Sequence, residues 1–585
     1  MRHEKLSPGL LLAYQDWQNE GETNLINHRR SLGILPPKSI IKPIKSIVFI
    51  YCNADADLSH LSQYGVEVNQ NSGSVRTAFL PLENLAILSE ETAIHQIKPS
   101  RRLKLRMDVA PQVVQLPDFQ TKTGLTGKNV IIGIIDTGID AKHHAFAGRI
   151  LRIWDQTLPG LGVNEGSYGA EFTDTQLSIS QDTEGHGTHV AGIAAGADAT
   201  YSGVASEAEL IIIKSDLQDA HIADGIRYIF RVARELGRPA VVNISLGNHA
   251  DAHDGSDSLS QIIDAESGRG RIVCCAAGNE GNYNIHGQAN IPSGRSRGMR
   301  FHVPLNQIGI VWLNAWYVSS GQLEVSVRSP NGFVSPYQKI ITDGNPTQTY
   351  NLPDSQVELV TPGTDPANGD YNFFVQIRGQ GRSPVQGGVW QLRVRNISTS
   401  DTKLDVWALD DNSSVFFTGK SIKDAVKIGS PGCANSAVTV AAYTTKAKYQ
   451  DIDSQIREMG LDLNTISDFS SEGPLRNNAQ KPDVAAPGAM IVAALSSHTN
   501  GDGLQPTVGH RSMMINSQFI AMSGTSMAAP FITGLIALLL QRDPNLDPNA
   551  IKDLLRQSSS IPGKSPGTFD PKWGFGLINA ASLIG

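Results

Sequence analysis

Four near-continuous apolar runs, NVIIGIIDTG, ELIIIKS, AVVNISLG and RIVCCAAGN, punctuate the chain downstream of about Val113. Runs of this kind, without alternation, predict strands buried on both faces of a parallel sheet. Between them the period changes. ADGIRYIFRVARELG carries apolar residues at helical spacing and stops at Gly237. Strand, loop and helix in repetition predict an open α/β sheet, whose sites gather at the carboxyl ends of the strands. The same texture returns in AVTVAAYTT, KPDVAAPG and a helix beginning near Ser526.

Two other textures flank or interrupt this one. SIVFIYC, DLSHLSQYG, VEVNQ, SVRTAFLP, LENLAILSE and AIHQIKP alternate as β-α-β-β-α-β, a ferredoxin-like α+β unit over 41–106. Residues 1–40 are polar with Pro-Gly and Pro-Pro punctuation and predict an extension with little core of its own. SRRLKLRMD reads as an exposed connector. Over 296–427 the strands alternate strictly and are separated by Gly, Pro, Asn and Asp turns, which predicts an antiparallel, jelly-roll-like β-sandwich. It splits the α/β unit into parts at 107–295 and 428–585, contributes no motif residue, and is expected to be separable from the chemistry.

Composition narrows the picture. A chain of 585 residues is too long for one core, and 40% apolar with 18% charged residues is globular usage. The net charge of −7 argues against a nucleic-acid partner. Cys52, Cys274, Cys275 and Cys433 are too few for a disulfide framework and read as small core residues. The N-terminus lacks a signal-peptide pattern, and the apolar stretch Phe531 to Leu540 is too short to span a bilayer. A soluble cytoplasmic protein without a membrane partner is expected, with export by another route left open.

Four positions carry candidate chemistry. Asp136 ends the strand VIIGII, where a buried charge needs a partner, although Asp also caps turns. His186 begins a helix rich in Ala and Gly; oriented by Asp136 through one ring nitrogen, it can take a proton on the other. His189, three residues on, reads as structural, because no acid completes a zinc-like ligand set. Ser526 in SGTSMAAP starts an apolar helix, with Pro530 expected in its first turn; it reads as a nucleophile, as a helix cap, or as both. Asn279, flanked by Gly278 and Gly281, offers an amide donor to an oxyanion.

DTGID, GHGTHVAG, NISLG, AAGNEG, KPDVAAPG and GTSMAAP, in this order, resemble the subtilisin-like serine proteases, the subtilases. The resemblance implies the subtilisin-type fold and a serine endopeptidase acting on protein or peptide substrates. It implies Asp136, His186 and Ser526 as the triad and Asn279 as oxyanion donor. It further implies that Ser245, Leu246 and Gly247 pair with an extended substrate, beside Gly278. The ferredoxin-like unit resembles the family's propeptide, a folding aid and intramolecular inhibitor. A sandwich inserted between Asn279 and Ser526 resembles the germination subtilases of Csp type. Ala145 stands where many members place a calcium-binding acid, so no metal or other cofactor is assigned, although calcium elsewhere stays open. Autocleavage is expected between Leu103 and Asp108, after Arg106 and before Met107. Glu280 is either an acid near the mouth of the P1 pocket, favouring Arg or Lys there, or a surface acid. A pseudoprotease that binds through its sandwich and a transpeptidase or macrocyclase stand as alternatives.

Overall fold

The strand Ile131–Asp136 is buried at every residue and pairs in parallel with Glu209–Lys214 on one side and Ala240–Ile244 on the other. Its alternate residues feed two cores. Ile132 and Ile134 join the helices His186–Ala195 and Thr525–Arg542 beneath one face, while Ile131 and Ile135 meet the helix Asp219–Glu235 on the other. Gly133 lies where a Cβ would come within 2.6 Å of Ile229, so the missing side chain lets that helix approach the sheet. The structure is a computed structural model. It describes residues 1–20, 34–35, 45–99, 104–105, 112–305, 309–318, 320–340, 346–381, 383–409, 414–499 and 510–584.

Among the described residues the central sheet has ten strands. Beyond Ala240–Ile244 come Arg271–Ala276, Val438–Tyr443, Val484–Pro487 and Leu577–Ile578; beyond Glu209–Lys214 comes Ile150–Asp155. Arg271–Ala276 and Val438–Tyr443 are hydrogen-bonded neighbours, so the inserted segment leaves and re-enters the sheet at a single seam. The helix Thr525–Arg542 is apolar and long enough to cross a membrane, but 89% of it is buried in this core.

The ferredoxin-like unit forms with the expected order. Lys45–Cys52 lies between Val75–Pro81 and Ile94–Pro99, with Glu67–Val68 outside, all antiparallel. Its first expected helix is a 3-10 turn, Ser59–Tyr64, closed by Gly65 at φ 68°. One sheet face, through Ile47, Phe49, Val75 and Phe79, shares a core with the helix Asp219–Glu235. Asp224, fully buried at this seam, accepts from Thr77 Oγ1 at 2.8 Å, Gln70 Nε2 at 2.9 Å and Tyr168 OH at 3.1 Å. Burial pushes its carboxyl above the usual range, and Arg227 opposes that shift.

Two expectations require correction. The N-terminal extension has a core: Pro8–Glu20 is a helix whose Leu10, Leu11, Leu12 and Ala13 are buried against Val48, Ile50 and Leu80. The cluster of four small and medium apolar residues after Pro8 packs as one helical turn, which a reading weighted by Pro and Gly overlooks. The same core takes in Val360 and Phe374 of the sandwich, and Asp16 pairs with Arg378.

The sandwich likewise begins earlier than 296, because His286–Ile291 pairs with Thr402–Leu409 in its six-stranded sheet. A five-stranded sheet containing Leu323–Arg328, Gly388–Asn396 and Ser296–Val303 covers it. It is also not a detached appendage. Asn314 Nδ2 donates to Asp251 O at 2.9 Å and Asn368 Nδ2 to Asp254 Oδ2 at 2.9 Å, and Arg476 joins Asp254 (2.6 Å) to Asp370 (2.7 Å). The loop it grips follows Ser245–Gly247.

Removing the buried acceptor at the seam between the ferredoxin-like unit and the helix Asp219–Glu235 should be costly. Asp224→Ala removes the buried acceptor shared by Thr77, Gln70 and Tyr168 and one carboxylate partner of Arg227, and is expected to lower stability by about 3 kcal/mol. Urea unfolding of the full-length chain measures it, and a loss confined to a few tenths would contradict the described seam.

Candidate active site

Asp136 has no exposure, and its Oδ1 accepts from Thr137 N at 2.8 Å and lies 2.7 Å from His186 Nδ1. A backbone donor and an imidazole therefore meet a charge that water cannot reach. His186 is the first residue of its helix, after Gly185 at φ 83°. Gly187 must lack a side chain, since a Cβ there would fall 2.2 Å from Gly138 O. Its N–H donates to Thr137 Oγ1 at 2.9 Å, which ties the helix start to the strand end.

Asp182 is the tie that sequence reasoning missed. Its Oδ1 accepts from Thr137 Oγ1 and Gly185 N, both at 2.8 Å; its Oδ2 accepts from Thr188 N at 2.8 Å and Thr188 Oγ1 at 2.7 Å. The signal was an acid four residues before His186, reaching back over a turn. His189 points elsewhere: its Nε2 lies 3.2 Å from Ile491 O and 3.1 Å from Ile520 O. Burial, helped by His186, pushes it down to about 3, which keeps it neutral and structural.

Ser526 is the second residue of Thr525–Arg542, within the turn where the helix dipole presents its positive end. Ser526 Oγ donates to Ser245 O at 3.0 Å, and Ser245 Oγ donates to Ser526 O at 2.8 Å. Pro530 explains the second bond. It stands inside the helix rather than in its first turn, and without an N–H it leaves the Ser526 carbonyl to take the Ser245 hydroxyl. Asn279 is anchored by its oxygen, which accepts from Thr525 N and Thr525 Oγ1, both at 2.9 Å. The amide nitrogen is therefore the end turned away from Thr525.

These groups converge because their strands are neighbours. Asp136 ends, and Ser245 and Asn279 follow, three adjacent strands, with Ile135 opposite Ile244 and Ile244 opposite Cys275. Leu246, Gly247 and Gly278 line one cavity with Asn248, His249, Ala276, Ala277 and Gly429. Leu246–Gly247 also pairs antiparallel with the chain's own Lys104–Leu105. Arg106 and Met107 lie outside the described residues. Glu280 is neither a surface acid nor part of the cavity wall. It is 5% exposed, and its Oε2 accepts from Asn279 N at 3.1 Å and lies 3.2 Å from His249 Nε2.

All four cysteines are buried and unpaired. Among the described residues one group has metal-like spacing, Asp251, Asp257 and Cys433. There the thiol lies 3.3 Å from each carboxylate, and burial with two acids pushes it far above its usual range. A thiol held protonated between two acceptors suits hydrogen bonding better than ligation. Ala145 is buried in the turn His144–Phe146 and supplies no ligand oxygen from its side chain.

Asp182→Ala would leave the Thr137 and Thr188 hydroxyls and two backbone N–H groups without their buried acceptor. A loss of about 3 kcal/mol is expected, read as a lower urea midpoint. An unchanged midpoint would show that Asp182 is not the tie described.

The model of the Subtilase family matches residues 127–388 and 375–576. Serine protease AprX of Bacillus subtilis is 23% identical over 514 residues, covering 85% of this chain and 76% of that protein. The subtilisin-like protease SBT1.9 of Arabidopsis thaliana is 25% identical over 486 residues, and the match spans 59% of its length. The CspB protease of Clostridium perfringens superposes with a TM-score of 0.67 at 22% identity, over 81% of this chain and 97% of that one. That likeness shows a shared fold. The chain belongs to the subtilase family of serine proteases.

Proposed function

We propose that the protein is an endopeptidase made as a zymogen and processed by its own active site. The observation that carries this reading is the strand Lys104–Leu105 lying on Leu246–Gly247, beside Ser526. Leu105 is opposite Leu246 and Lys104 opposite Gly247, so the chain runs toward Ser245 as it continues. A peptide added as a strand in this direction delivers its next carbonyl to the residue next to Ser245, which is Ser526.

The chemistry assigned to these residues is acyl transfer. The Ser526 hydroxyl turns from Ser245 O, attacks the carbonyl carbon and gives its proton to His186 Nε2. Asp136 holds Nδ1–H and stabilises the imidazolium. The oxyanion takes hydrogen bonds from the Asn279 amide and from N–H groups at the helix start. His186 then protonates the leaving amine, and water, deprotonated by the same nitrogen, releases the acyl group. Nothing in the fold favours a ligating acceptor or a purely binding role.

The basic P1 preference stays within this proposal. Glu280 stands behind His249 at the cavity, where its charge is far less screened than at a surface. Cleavage after Arg106 is consistent with the register of Lys104–Leu105.

Ser526→Ala should remain full length and take up no fluorophosphonate; processing at the normal rate in the absence of other proteases would sink the assignment. Asn279→Ala should lose about 10²–10³-fold in kcat, the size known for removing this donor in subtilisin. N-terminal sequencing of the processed chain should start at Met107, and peptides with P1 Arg or Lys should be cleaved faster than those with Phe. A start well outside 103–108, or an aromatic preference, would overturn this specificity.

A further inference from the structure

Three aromatic rings stack where the sandwich meets the catalytic unit, and a fourth, His249, continues from them edge to edge to the cavity beside Ser526. His286 lies on Trp407 at 4.6 Å between ring centres and 12° between planes; Trp407 lies on His253 at 3.9 Å and 5°. His253 is followed by His249 at 5.2 Å and 8°. Trp407 and His286 belong to the sandwich, whereas His249 lines the cavity with Leu246 and Gly278. A hydrogen-bond chain runs through the same rings. His253 Nδ1 lies 3.2 Å from Asp251 O, His253 Nε2 lies 3.0 Å from His249 Nδ1, and His249 Nε2 lies 3.2 Å from Glu280 Oε2.

The stack is built to hold still. His253, His286 and Trp407 are fully buried. Trp407 Nε1 donates to Val426 O at 2.9 Å, and His286 is gripped between Ala425 O and Asp405. His253 has φ 54°, in the left-handed region that residues other than glycine adopt uncommonly, and such conformations persist where the surroundings over-determine them. Its N–H is held by Asp251 Oδ2 at 3.0 Å.

Other groups hold the loop backbone independently of the stack. Asn314 donates to Asp251 O, Arg476 Nε donates to Ala252 O at 2.7 Å, and Arg476 N donates to His253 O at 2.8 Å. Trp407 packs with Ala252 of this loop, and its ring lies face to face with that of His253. Its contribution falls on the orientation of the rings.

We propose that Trp407 is a positioning residue for P1 recognition: through His253 and His249 the inserted sandwich sets where the Glu280 carboxylate stands behind the P1 cavity. The inference rests on the endopeptidase reading and on this cavity receiving the P1 side chain. A side-chain wall fixed to within a fraction of an ångström discriminates better than one free to turn. Removing the stack from behind should therefore alter which P1 residues are accepted while leaving acyl transfer itself intact.

The test compares wild type, Trp407→Leu, Trp407→Phe and His253→Asn on peptides differing only at P1 (Arg, Lys, Phe, Ala), with active sites counted by fluorophosphonate titration. Trp407→Leu should shift the Arg-to-Phe ratio of kcat/KM by about tenfold, through KM for the basic peptides. Its kcat on the Phe and Ala peptides should stay within about twofold. Trp407→Phe, which keeps a ring on His253, should recover most of the wild-type ratio. His253→Asn tolerates the left-handed backbone and decides the matter if Trp407→Leu does not fold. An equal loss on all four peptides, or an unchanged P1 profile, would overturn the inference. A wild type without a basic preference would overturn the P1 assignment instead, and the variants would still report whether the stack shapes the profile.

Discussion

A carboxylate without access to water ends the central strand, and most of the surrounding architecture follows from supplying it with partners. Asp136 sits at the carboxyl end of a strand inside the sheet, whose interior would penalise a lone charge by several kcal/mol. Its partner must arrive from another segment with a polar atom at a fixed height above the strand. That requirement places the start of a helix at His186, forbids a side chain at residue 187, and recruits Asp182 and Thr137 to fasten the junction. The two serines meet by the same logic of filled valences. A proline inside a helix leaves one carbonyl without its intrahelical donor, and the neighbouring strand end supplies a hydroxyl to it.

Much of this was legible in the chain. Unbroken apolar runs announced the parallel strands, because a strand buried on two faces has no polar side to reveal. Asp136, His186, Asn279 and Ser526 were legible because each sits where a strand ends or a helix starts in glycine-framed turns, and the structure sets them at two strand ends and two helix starts. Asp182 escaped notice because a buried acid taking four hydrogen bonds looks, in sequence, like any loop aspartate. The inward position of Glu280 was likewise illegible. It depends on His249 and Ser471, and residue 471 is distant in the chain.

The N-terminal helix and the sandwich escaped for a different reason. Local pattern shows that a segment has an apolar face, but not which distant surface will cover it. Leu10 to Ala13 are buried by a sheet beginning at residue 45 and by Val360 and Phe374. Asn314, Trp316 and Trp407 belong to strands of alternating spacing like any in the sandwich; yet Asn314 donates to Asp251 O, Trp316 Nε1 donates to Asn314, and the Trp407 ring lies on His253 of the same loop. Three bodies thus lean on one another, and none of their seams is written within a single body.

The seam between Arg271–Ala276 and Val438–Tyr443 has a consequence for chain entropy. These strands must find each other across about 160 residues, and closing a loop that long is unfavourable when the loop is random coil. The sandwich brings its own ends together, since Phe417 N donates to Asn284 O at 2.7 Å and Lys423 N to His286 O at 3.1 Å. Once it has folded, the coil left to be closed shrinks to about 30 residues, and the closure cost falls by about 1.5 kcal/mol. The insert thereby behaves as a clip: a large interruption in the sequence becomes, for the assembling sheet, a short one.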